Sequence, residues 1–441
     1  MDIQQAEPRF NLGYVVRETN IKPDTLRAWE RRYGLPLPER TDGGHRLYSQ
    51  RDMDIVRWLM AQQEEGLSIS KAVSLWNSLE ARGKDPLLNE TNENILSEET
   101  PAIYRAVHET SLDEMRQGWI QACLRFDNAV AQGVLSRAFA NYPMKDVLYQ
   151  VLQRGLAEIG VHWFEKKATI QQEHFASALA LQRLHALIAD APPPTLNGKV
   201  LIGGAIDEAH EFAPLMVNLL LRYRGWEVVY LGPNVPALQL EITLQKTRAQ
   251  LVVLTAEQLH TAANLLDQAV FLKDLHVQLG YGGAIFNHLP KIRQRIPGHF
   301  LGANIEDAVA VIEDVLVRHP LTPSFTALSV EYRDALAFFR EKQSLIEGDI
   351  GWTWEGSGLS AERMRLTHQR LSQSIDAALR LGDIHYVDRE IDWAEGLIAN
   401  YAYERGTMHY FLRGYEQALR KHMDARGQLI LDWMVEAMKG N

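Results

Sequence analysis

Between residues 199 and 318, four short apolar runs (199–206, 227–231, 251–255 and 277–281) alternate with helix-length segments. That alternation predicts a doubly wound domain, a parallel sheet with helices packed against it. Ligands in such a fold sit at the carboxyl ends of the strands. His210, Thr255 and the pair Gly282-Gly283 fall there. The first run leads through Glu208-Ala209-His210-Glu211-Phe212-Ala213 into the helical pattern 215–221. A His on such a loop, two residues after an acid, is well placed to hold a metal cofactor while the acid orients its ring.

At 441 residues the chain is too long for one ordinary core. Three stretches rich in helix-stopping residues, 83–100, 191–198 and 319–323, divide it. The expected architecture is multidomain α and α/β: a head over residues 1–82, a four-helix bundle over 101–190, the sheet domain over 197–318 and a helical tail over 324–441. No apolar stretch approaches the ~20 residues of a membrane helix, so no membrane partner is expected. Acids occupy the first residues, where a signal peptide carries bases, and Cys123 is the single cysteine. Together these point to the cytoplasm and exclude an internal disulfide framework or a multi-thiolate metal site within one chain. A net charge of -10 restricts any nucleic-acid contact to a locally basic patch.

The head supplies that patch. In Thr25-Leu26-Arg27-Ala28-Trp29-Glu30-Arg31-Arg32-Tyr33-Gly34, helical spacing lets Leu26, Trp29 and Tyr33 share a buried face. Arg27 and Arg31 then point outward, with Arg32 near the edge. Next comes Arg40-Thr41-Asp42-Gly43-Gly44-His45-Arg46-Leu47-Tyr48, where paired glycines permit a tight hairpin with basic flanks. A winged helix-turn-helix follows. The stretch resembles the DNA-binding domain of the MerR family through these residues and Asp52. The resemblance implies that Arg27, Arg31, Arg32, His45, Arg46 and Tyr48 contact operator DNA, and that a dimer meets a two-fold site.

The sheet domain resembles the cobalamin-binding domains of methionine synthase, the mutases and the light-responsive CarH/LitR regulators. Their pattern, acid-any-His-any-any-Gly followed by Ser or Thr and then Gly-Gly, is met by Glu208, His210, Thr255, Gly282 and Gly283. Ala213 stands where Gly is usual, and Glu208 replaces the commoner Asp. The resemblance implies that His210 is the lower ligand of cobalt, with Glu208 bonded to its other ring nitrogen. Thr255 and the two glycines would accommodate the cofactor's displaced nucleotide tail.

In the bundle, Trp163 is followed after nine residues by Glu173-His174. On one unbroken helix Trp163 and Glu173 would project roughly 80° apart, although Lys166 and Lys167 can mark a turn between two helices. The pattern is similar to the cap of CarH-type regulators. It implies Trp163 packed on the adenosyl group of adenosylcobalamin, with Glu173 and His174 as polar contacts; Ile170, one helical turn before Glu173, is a further candidate lining residue. In the best-known family members a His follows the Trp and is expected to capture cobalt after light; this chain has Phe164, which cannot ligate.

The tail reads as helices over 331–346, 361–381, 387–403 and 408–438, with many aromatics. It is either a packed domain for oligomerisation or protein contact, or a second sensory pocket. Some cobalamin photoreceptors carry a bilin-binding helical domain of similar size. Without a cysteine in the tail a bilin would be noncovalent, with His368, His385, His409 and His422 as candidate contacts for bilin or haem. The expected function is a non-enzymatic, light-responsive, cobalamin-binding transcription regulator working as a dimer or tetramer. The alternatives are a light-independent cobalamin sensor and a corrinoid methyl-carrier module.

Overall fold

A computed structural model of the chain describes residues 10–19, 21–40, 46–64, 69–81, 85–87, 111–350, 361–400 and 407–440. The chain separates into two units, Met1–Thr110 and Ser111–Asn441. In the first, β1 (Phe10–Asn11), β2 (Glu39–Arg40) and β3 (Arg46–Tyr48) form an antiparallel sheet in the order β1-β3-β2. Helices α1 (Leu12–Thr19), α2 (Pro23–Tyr33), α3 (Gln50–Glu64) and α4 (Ile69–Ala81) pack with it. Helix α2 starts on Pro23, which lacks an N–H that would have no intrahelical partner there. It ends at Gly34, whose φ of 68° is left-handed and whose N–H reaches the Glu30 carbonyl at 3.0 Å. Leu26, Trp29, Tyr48, Leu59 and Trp76 form the core. The strands flanking the expected wing pair as predicted, while Gly43, Gly44 and His45 lie outside the described residues.

The second unit opens with four helical segments. Helix α5 (Leu112–Leu124) begins with a reciprocal Ser111–Glu114 capping box, and Asp127 caps α6 (Asn128–Asn141). A short turn, Met144–Asp146, and a π-helical stretch, Val147–Gln153, run into α7 (Arg154–Phe164). Helix α8 (Ile170–Ala189) starts on a second capping box, Thr169 with Gln172. Trp163 and Glu173 are therefore not on one helix, which corrects the unbroken-helix alternative. The chain turns at 165–169, with Lys166 at φ 60°, and the Lys167 and Ala168 amides close on the His162 carbonyl.

The sheet has all-parallel pairing in the order β5-β4-β6-β7-β8, with β4 Lys199–Gly204, β5 Glu227–Gly232, β6 Leu251–Thr255, β7 Gln278–Gly282 and β8 His299–Phe300. Residue alternation divides its two faces. Val200, Ile202, Leu251 and Val253 join α9 (Phe212–Tyr223), α13 (Ile305–Arg318) and the bundle core. Leu201, Val252 and Leu254 face the other way, into a core with α10 (Leu240–Thr247), α11 (Leu259–Asp274) and α12 (Ala284–His288). Strand β8 is too short to have a sequence signature.

The tail comprises α14 (Val330–Ile350), α15 (Ala361–Leu381), α16 (Asp388–Asn400), α17 (Thr407–His422) and α18 (Gln428–Gly440). The expected helix over 408–438 is instead two. Asp424 accepts from the Arg426 amide at 2.9 Å, setting a 3-10 turn over Ala425–Gly427 that breaks the α pattern. Nor does the tail have a core to itself. Phe339, Ile375, Leu412 and Trp433 belong to the same apolar cluster as α11, and Arg380 of α15 bonds the Ala263 carbonyl (2.7 Å), Asn264 (3.0 Å) and Asp267 (2.5 Å).

Candidate functional site

At the carboxyl end of β4 the chain turns through 205–211, with Asp207 at φ 65°, before entering α9. Neighbouring side chains hold this loop. Gln268 accepts from the Ile206 amide (3.0 Å), Asn264 donates to the Ile206 carbonyl (3.0 Å), and Asn234 accepts from the Asp207 amide (2.9 Å). Glu208 is 1% exposed. One carboxylate oxygen accepts from the His210 amide at 2.9 Å and meets the ring Nδ1 at 2.5 Å; the other accepts from the Glu257 amide (2.6 Å) and the Thr261 hydroxyl (2.8 Å). Burial works to raise the Glu208 carboxyl, yet the bonds from His210 and the Glu257 amide more than offset it and hold it at about 2. Its hydrogen bond in turn raises the His210 imidazole above its ordinary value. With Nδ1–H donated to Glu208, Nε2 carries the lone pair of a side chain 58% exposed.

Thr255 ends β6, and its buried hydroxyl has no hydrogen-bond partner among the described residues. Beside it, Gly282 and Gly283 play different parts. A Cβ on Gly282 would make only an ordinary contact, with Leu301 Cβ at 3.9 Å, so nothing of the chain crowds this position. Gly283 has φ 130°, and a Cβ there would lie 1.9 Å from the Ala256 carbonyl oxygen. The chain's own backbone crossing therefore requires Gly283, whatever room for a ligand it also leaves. Glu257 adds a tie, its Oε2 accepting from the Ala284 amide at 2.8 Å, and burial pushes its carboxyl above the usual range.

From the bundle, Glu173 is close enough that its charge contributes to the raised pKa of His210. Its carboxylate accepts from Ser177 at 2.8 Å and pairs with His174 Nδ1 at 2.8 Å, leaving the His174 side chain largely exposed. Ile170 and Trp163 are half-buried on either side of the 165–169 turn. Trp163 faces a partner from the tail, Trp393, with ring centroids 6.2 Å apart.

Sequence reading missed Thr261, Asn264 and Gln268, which hold the loop. A signal was present: at spacing i, i+3, i+7 they form a polar stripe on α11, whose buried residues are otherwise all Leu or Ala.

In the head, Arg27, Arg31 and Arg32 of α2 are exposed, Arg27 with an ion pair to Asp24 at 3.2 Å. Tyr48 is a correction. It is fully buried, and its hydroxyl donates to Glu30 at 2.5 Å, so it cannot reach DNA from this fold. Arg46 is held by the same carboxylate at 2.6 Å. Glu30 thus ties the α2 helix to β3.

The tail histidines do not converge. His368 is buried against Phe411 (centroids 4.4 Å) and Tyr415 (6.0 Å), His385 pairs with Asp388 at 3.0 Å, His422 pairs with Asp349, and His409 adjoins Tyr410. Among the described residues no group of three or more His, Cys, Asp or Glu side chains could hold a metal ion.

This head and this sheet-plus-bundle define a class, DNA-binding regulators of MerR type joined to a B12-binding domain. Residues 10–78 match the family described as MerR HTH family regulatory protein, and residues 115–188 match the one described as B12 binding domain. The chain is 30% identical over 243 residues to the HTH-type transcriptional repressor CarA of Myxococcus xanthus, across 55% of this chain and 74% of CarA. It is 27% identical over 309 residues to the HTH-type transcriptional repressor CarH of the same organism, across 69% of this chain and 99% of CarH. The chain belongs to this CarA/CarH family, and it is a regulator rather than an enzyme. A solved structure, the Methanosarcina barkeri monomethylamine corrinoid protein, aligns over 46% of this chain and 100% of its own at 17% identity and a TM-score of 0.42. Among the described residues no helix is long and apolar enough to cross a membrane.

Proposed function

We propose that this chain is a cytoplasmic, light-responsive transcription regulator that holds adenosylcobalamin between bundle and sheet and binds operator DNA as a dimer or tetramer. The Glu208–His210 pair carries the reading, because a buried carboxylate that fixes Nδ1 leaves Nε2 as a metal donor of set tautomer. The unpartnered Thr255 hydroxyl and the uncrowded Gly282 fit a polar group threaded along β6 and β7. When bound, adenosylcobalamin supplies a cobalt ion that accepts an imidazole and a carbon–cobalt bond that light breaks.

The chain's own residues do the rest. His210 would hold the cobalt, and Glu208 keeps its ring oriented. Trp163 and Ile170 would shield the adenosyl group from water, while Glu173 and His174 would offer it polar atoms. Phe164 offers no lone pair, so no second imidazole waits directly after Trp163. Arg27, Arg31 and Arg32 meet the operator, with Arg46 and His45 serving phosphates from the wing. For the tail, a core filled by its own aromatics and shared with α11 supports a protein-packing role over a bilin pocket.

An absorption spectrum of protein supplied with adenosylcobalamin, taken before and after green light and paired with operator binding in both states, tests this. The expected result is a bound corrinoid spectrum that light changes together with operator affinity. No bound cobalamin sinks the proposal. Bound cobalamin with unchanged operator affinity identifies a light-independent cobalamin sensor instead.

A further inference from the structure

Helix α7 ends at Phe164, where the last helical carbonyls have no partner within the helix. One partner comes from the tail, as Asn400 Nδ2 donates to the Phe164 carbonyl at 2.6 Å. The Phe164 ring lies so close to the α16 backbone that a Cβ on Gly396 would sit 2.5 Å from its Cζ. One turn earlier on α16, Trp393 meets Trp163. Trp393, Gly396 and Asn400 follow the i, i+3, i+7 spacing of a single helix face. The preceding tail helix, α15, is fastened elsewhere, through the bonds from Arg380 to α11. Helix α11 in turn carries Thr261, Asn264 and Gln268, which hold the His210 loop. The tail therefore straps the bundle to the sheet domain.

We propose that this face of α16 is a positioning element of the cobalamin site, holding the Trp163 indole in place so that the tail determines which upper group the site accepts. The proposal rests on the reading of Trp163 as a cap residue. Trp393, Gly396 and Asn400 act through Trp163 and Phe164. It also gives Phe164 a task, since its ring is the knob that α16 closes upon.

The test uses the full chain in the dark, with adenosylcobalamin and hydroxocobalamin titrated separately. Gly396→Leu, Asn400→Ala and Trp393→Ala are each expected to weaken adenosylcobalamin binding about tenfold and to change hydroxocobalamin binding less than about threefold, while Trp393→Phe restores most of the loss. Equal weakening of both cobalamins would reveal a merely structural contact, and no change in either would remove the proposal. In the cobalamin-free protein, the same variants are expected to speed amide exchange in the last turn of α7 about tenfold. Unchanged exchange overturns the clamp. A wild-type chain that binds neither cobalamin overturns the cap reading and with it this proposal, even if the exchange rates respond.

Discussion

Glu30 shows how a residue in a helix with exposed arginines can work inward. Its carboxylate binds the buried Tyr48 hydroxyl and the Arg46 guanidinium, so the wing strand is held from within the head. Tyr48→Phe should therefore cost about 1 kcal/mol of stability, read from a urea midpoint, and leave the salt dependence of operator binding unchanged. Arg31→Ala should do the reverse, lowering the slope of log affinity against log salt by about 1 with little loss of stability. Gly283→Ala should destabilise the second unit by about 3 kcal/mol or more, because a side chain at φ 130° would strike the Ala256 carbonyl. The residue types at both places were legible in the sequence, but their orientation was not. A motif records order along the chain, whereas Tyr48 faces inward because β3 alternates against the helical core, and Gly283 is dictated by a strand end 27 residues earlier in the chain.

At the scale of elements, what the sequence disclosed followed from repetition. The strands β4 to β7 appear where apolar runs predicted them, and central β6 is buried on both faces, as a parallel sheet requires. Features set by single residues were harder to read. The break at 423–427 depends on one Asp side chain meeting one amide, and the 165–169 turn depends on a cap that also reaches across the bundle. There Gln172 closes the Thr169 box and donates to the Leu124 carbonyl at the end of α5 (2.6 Å). Thr169→Ala should cost about 1 kcal/mol, and Gln172→Ala should cost more than that because it loses the second bond as well. Urea unfolding of the two variants, side by side, checks the order.

For the whole molecule, pH reports on the tail. Burial lowers the His368 pKa to about 4, whereas in an unfolded chain it titrates near 6.5. Below 6.5 the unfolded state takes up a proton that the folded state refuses, so stability is complete above pH 6.5, declines as pH falls and levels off near pH 4. Between pH 7.5 and pH 5 the wild type should lose about 2 kcal/mol more than His368→Phe, measured by urea unfolding at both pH values. The helix-stopping stretches were readable in the sequence, yet the sharing of one interior by tail and sheet was not, because such stretches mark where the chain bends and say nothing of which surfaces then meet. That shared interior has a practical consequence for anyone cutting the chain. A fragment ending near residue 320 would leave the outer surface of α11 bare and wet, an apolar patch of the kind that seeks any neighbour. Such a fragment should aggregate on purification, and the smallest well-behaved piece of the second unit should run from residue 111 through to the end of α18.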